Sequence, residues 1–98
     1  MSYLIFCTFD LKNATSQNYE TAYSDLAALG LTKVRKSDSG NDVVIPTNSV
    51  MGAFDGASAT SVRDDIRNKV QAAFRARGFK SEIFLVVGGN WAWGAATT

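Results

Sequence analysis

Apolar side chains fill almost every position from Tyr3 to Phe9 before the chain turns polar at Asp10. Residues 3 to 11 therefore read as a strand that is apolar on both faces, with Tyr3, Ile5, Cys7 and Phe9 on one and Leu4, Phe6 and Thr8 on the other. A strand of that kind belongs in the middle of a sheet. The period then changes: Tyr19, Tyr23 and Leu26 recur at helical spacing, flanked by Ala22, Ala27 and Leu29, so a helix is expected from Asn18 to Leu29 with Ser16 or Asn18 as its cap and Gly30 as its stop. Thr32 to Lys36 has strand character, and the turn-forming run "SDSGND" follows it. Val43 to Phe54 is again extended, interrupted at Pro46, which has no N–H to give to a ladder. Val62, Ile66, Val70 and Phe74 repeat every four residues, predicting a second helix capped by Ser58 or Ser61 and ended by Gly78. Glu82 to Val87 reads as a last strand, bent at Gly88-Gly89.

The order strand, helix, strand, strand, helix, strand is the split βαβ pattern, so the expected fold is α+β, a ferredoxin-like βαββαβ sandwich occupying residues 1 to 98 as one domain, with residues 90 to 98 as a C-terminal extension. The handedness of the two crossovers puts both helices on one face of the antiparallel sheet. The other face stays open, and Phe6, Phe84 and Val86 are expected on it, an arrangement that favours pairing with a second copy.

Composition narrows the chemistry. Histidine is absent and Cys7 is the single cysteine, which excludes Ser-His-Asp and Cys-His nucleophile systems, histidine-ligated zinc and an intrachain disulfide. What remains is carboxylate-bound magnesium or manganese, or no catalysis at all. A net charge of +1 gives no global attraction to nucleic acid. The opening apolar run of about nine residues is well short of a membrane span of roughly 20, so the expectation is a soluble cytoplasmic protein with no membrane partner.

Several groups are candidates for function. Asp10 stands at the end of a central strand, where a carboxylate is rigidly held and suits a hard metal ion; the competing reading is a polar strand end paired with Lys12. Arg35 and Lys36, with Arg63 and Arg67 on one helical face, are candidate phosphate contacts, against which stands neutralisation by Asp64 and Asp65. Trp91 and Trp93 are two apart and suit base stacking or, more in keeping with a C-terminal aromatic pair, packing on the sheet or at an interface. Cys7 reads as core.

"TFDL" at 8 to 11, "NYETAYSDLAALG", "PTNSVMGAF" from Pro46 to Phe54 and "SATSVRDDI" together resemble the small ferredoxin-like proteins grouped with the second CRISPR-associated protein of spacer adaptation, including SinR-like proteins and virulence-associated protein D. The resemblance spans residues 3 to 87. It implies a homodimer, a nucleic-acid-facing surface and magnesium-dependent cleavage of RNA or DNA, with Asp10 as the catalytic metal ligand and Ser49 as a second site candidate. The stretch "RKSDSGND" lengthens the region between the second and third strands, and "GGNWAWG" matches no motif of that group. The alternative function is a non-enzymatic protein-binding module of the antitoxin, immunity or phage-inhibitor type.

Overall fold

The structure, a computed structural model, describes residues 1–98. Strand β1, Ser2–Leu11, has antiparallel neighbours on both sides, β4 (Ser49–Asp55) and β5 (Ser81–Gly88), giving the order β4-β1-β5. The doubly apolar sequence of β1 is the cause, since a strand apolar on both faces loses most solvent at the sheet centre. Its odd-numbered side chains, from Tyr3 to Leu11, are buried against helices α1 (Ser16–Ala28) and α2 (Ala59–Ala76). Leu26 of α1 and Val62, Ile66, Val70 and Phe74 of α2 supply the opposing apolar stripe, and Phe9 sits at its aromatic centre with Tyr19, Tyr23 and Phe74 around it. The chain is thus α+β, with two helices and antiparallel sheets.

The first helix starts earlier than its apolar period suggests. Thr15 is the N-cap, and Asn18 returns the bond from its side chain to the Thr15 N–H, so Asn18 closes a capping box within the helix. In α2 the same reciprocal arrangement joins Ser58, the cap, to Ser61. Both helices are followed by a glycine with positive φ, Gly30 at 95° and Gly78 at 72°, conformations that a side chain disfavours.

The region between the helices departs from the two expected strands, Thr32 to Lys36 and Val43 to Phe54. Thr32 and Met51 exchange both main-chain hydrogen bonds, so the chain leaving α1 runs beside β4, but only at that point. From Lys33 onward its partner changes: the N–H of Ile45 bonds to the carbonyl of Lys33, and β2 (Val34–Lys36) pairs with β3 (Asp42–Val44) in a separate two-stranded sheet. Pro46 and the positive-φ residue Asn48 lie between β3 and β4 and separate them.

Across the helical layer, Arg77 at the end of α2 donates from Nε and Nη2 to both oxygens of Asp25 on α1, at 2.9 and 3.0 Å. The Arg77 guanidinium holds the Asp25 carboxyl below its ordinary range, first through the hydrogen bonds and then through its charge. A carboxylate lowered by folding adds stability in full above its unfolded value of about 3.9, and that stability is lost as pH falls through the lower folded value. Arg77→Ala is therefore expected to show a smaller fall in urea midpoint between pH 5 and pH 2 than the wild type; equal falls would remove the pair from the acid dependence.

Candidate functional site

Asp10 is the ninth residue of β1 and lies opposite Glu82 of β5. Between these two carboxylates sits the ammonium of Lys12, 3.0 Å from Asp10 Oδ2 and 2.6 Å from Glu82 Oε1. The other oxygen, Asp10 Oδ1, is 3.0 Å from the Tyr19 hydroxyl, which accepts the N–H of Leu11 and has the Leu11 carbonyl at 3.2 Å as a second place for its proton. Hydrogen bonds from Lys12 and Tyr19, and then the Lys12 charge, hold the Asp10 carboxyl below the usual range. Lys12 is pushed up to about 12, by Glu82 first and Asp10 second, so it remains a cation throughout the neutral range.

The arrangement has a structural effect. Lys12 ties the end of β1 to β5, and Tyr19 ties the same end to α1, so the turn leading into α1 leaves from a fixed point. The pairing of Asp10 with Lys12 is legible in the sequence, whereas the contacts of Glu82 and Tyr19 are not among its expectations. Glu82 becomes visible only through cross-strand register; Tyr19 had a signal, being one turn before Tyr23 on the buried stripe and carrying a hydroxyl that a half-buried tyrosine normally bonds.

Magnesium fits this arrangement poorly within one chain. No group of three or more acidic, cysteine or histidine side chains converges anywhere in the structure, and the two carboxylates that do face each other already share a lysine cation. Ser49 does not join them: it lies opposite Thr8, one step down the open face, and is largely buried.

The basic candidates are divided. Arg63 and Arg67 lie on α2 in the helical layer, whereas Arg35 and Lys36 lie on the separate two-stranded β2-β3 sheet. Each has a local partner. Asp64 takes both Arg63 and Arg67, at 2.9 and 3.3 Å, Asp42 takes Lys36 at 2.6 Å, and Arg35 reaches the Met51 carbonyl at 3.5 Å. No continuous phosphate-binding strip results.

No family model matches the chain, and no curated protein matches it.

The open face of the sheet is the remaining surface. Register puts Leu4, Phe6, Thr8 and Asp10 of β1 there, with Met51 and Ala53 of β4 and Phe84 and Val86 of β5. Its two halves differ. Leu4 and Met51 are buried although no helix covers that side, and the two segments outside the helical layer, the hairpin and the C-terminal tail, meet around a cavity of about 600 Å³ lined by Lys36–Ser39, Val43, Trp91 and Trp93. Trp91 and Trp93 thus line a cavity shared with the hairpin, with Trp91 still 39% exposed. On the β5 side nothing intervenes, and Phe84 and Val86 are 70% and 56% exposed on a rigid strand. Cys7 offers no nucleophile: it faces the core without solvent access, and burial pushes its thiol up to about 11.

Proposed function

We propose that this chain is a non-enzymatic binding module whose open sheet face docks another protein. The observation that carries the reading is the exposure of Phe84 and Val86 beside half-buried Phe6 on regular strands, an apolar surface presented by the most rigid part of the fold. The neutralised lysines and arginines support it further, because an interface that excludes water tolerates paired charge at its rim better than a nucleic-acid surface tolerates neighbouring carboxylates.

The second reading is a homodimeric, nucleic-acid-associated protein of the adaptation or toxin type, a magnesium-dependent nuclease working in the cytoplasm. One observation favours it: Asp10 lies at an exposed end of the open face, so face-to-face pairing about a two-fold axis near that end would bring further carboxylates to the two that Lys12 now bridges. The ferredoxin-like βαββαβ fold belongs to this proposal as well. It is supported by the Thr32–Met51 bridge, which aligns the segment after α1 with the outer edge of β4, the position of the second strand in that fold.

Cleavage of labelled RNA and DNA with Mg²⁺, Mn²⁺ or EDTA separates the two readings. The expected result is no metal-dependent cutting that distinguishes wild type from Asp10→Asn, together with a stoichiometric protein partner that Phe84→Glu no longer holds. Cutting that needs the metal and vanishes in Asp10→Asn would overturn the binding reading.

A further inference from the structure

We infer that β5 is a self-pairing edge through which two copies of this chain join their sheets into one, in antiparallel register centred on Leu85. The inference is independent of what docks on the open face.

β5 has β1 on one side and no strand on the other. Its free edge carries none of the devices that normally block edge pairing: Ile83 to Val87 contains no charge and no proline, and the ladder to β1 runs from Leu4↔Gly88 to Leu11↔Ser81 without a bulge. The main-chain groups on that edge can be assigned. The N–H of Lys12 bonds to the carbonyl of Lys80, so even-numbered residues of β5 make the ladder bonds to β1, and the odd-numbered Ile83, Leu85 and Val87 point their N–H and C=O groups outward.

Two copies can use those groups on each other in a register that also suits the side chains. With Leu85 opposite its own copy, Ile83 faces Val87 of the second copy as a hydrogen-bonded pair. Phe84 then faces Val86 of the second copy at the closer, non-hydrogen-bonded position, where an aromatic against a β-branched side chain is favourable. Glu82, the one charged residue of β5, meets Gly88, so no like charges are opposed along the strand. Shifting the register by two residues puts Glu82 opposite Val86, with Phe84 against itself, or puts Phe84 opposite Gly88, and in both the pairing of Phe84 with Val86 is lost. A groove of about 240 Å³ lies between Ala59, Thr60 and Arg63 of α2 and Leu85 to Val87 of β5, and Ile83 of the second copy would enter it on the helical side beside the Arg63 side chain.

Light scattering at micromolar concentration is expected to give a dimer. Val87→Pro removes an N–H that the single chain does not use, a substitution that edge strands accept, and it should weaken association by about thirtyfold, the effect of two lost main-chain hydrogen bonds. A second measurement does not depend on how that variant folds: Phe84→Cys and Val86→Cys proteins mixed under mild oxidation should cross-link to each other faster than either does to itself. A monomeric wild type would overturn the inference and leave the edge to an extended segment of another protein. A dimer that forms without preferential cross-linking of the two cysteine variants would overturn it as well, and would point to pairing through the open face.

Discussion

Phe74→Ala is expected to lower unfolding stability by about 3–5 kcal/mol, read as a shift in urea midpoint at unchanged slope. Phe74 is the last apolar residue of the α2 stripe and is 1% exposed. Its ring lies 5.5 Å from that of Phe9 on the central strand and 6.1 Å from that of Phe79 in the segment leading to β5. One side chain therefore joins helix, central strand and the approach to the edge strand. The neighbours that would have to close the cavity are held at both ends, Phe9 by a strand paired on both sides and Phe79 by its N–H bonded to the Phe74 carbonyl at 3.0 Å. Little relaxation is available, and the loss belongs to the upper part of the range for buried aromatics. Against a typical total of 5–15 kcal/mol, the variant would be left marginal. A loss below about 1 kcal/mol would mean that Phe74 is not packed as core.

Gly52→Ala is expected to cost about 3 kcal/mol, the upper end of what overpacking usually costs, for a different reason. Gly52 lies on β4 opposite Ile5, and a Cβ there would run into the carbonyl oxygen of Gly30 and stand 2.9 Å from Cε2 of Phe54. The obstacle is main chain and is held on both sides. Before it, Gly30 N–H bonds to Ala27 and Leu31 N–H to Leu26; after it, Thr32 and Met51 exchange bonds of 2.8 and 2.9 Å. Relief would have to break the end of α1 or the bridge to β4. Gly94→Ala is the control, with nothing within 4 Å of its added carbon, and its midpoint should stay within about 0.5 kcal/mol of wild type. If both variants lose the same amount, the close approach of Gly30 and Gly52 is not what limits residue 52.

Asp10 shows how far a site can be read before the chain is folded. Its place at the end of β1 and its pairing with Lys12 are legible, because both depend on neighbours within two residues. That Lys12 also holds Glu82, seventy residues away in the chain, depends on which residue of β5 lies across from Asp10. This second contact is what turns a carboxylate free to bind a metal into one side of a shared cation. The same difference separates Arg63 and Arg67, whose partner Asp64 is visible in the helix, from Arg35, whose contact with the Met51 carbonyl follows only from how the hairpin lies.

By itself the sequence determined both helices and the glycines that follow them, the central strand, the buried stripe of α2 and the exposure of Phe84 and Val86. Each of these follows from the direction in which successive side chains leave a local backbone of fixed period. The tertiary structure alone decided that the strand after α1 passes from β4 to β3 at Thr32, that the two tryptophans line a cavity with the hairpin, and that Asp10, Lys12 and Glu82 form one unit. Those outcomes depend on register and on competition between distant segments for the same hydrogen bonds and apolar surface. That competition is resolved only when the whole core closes, since a one-residue slip leaves the local pattern intact while exchanging every partner across the sheet.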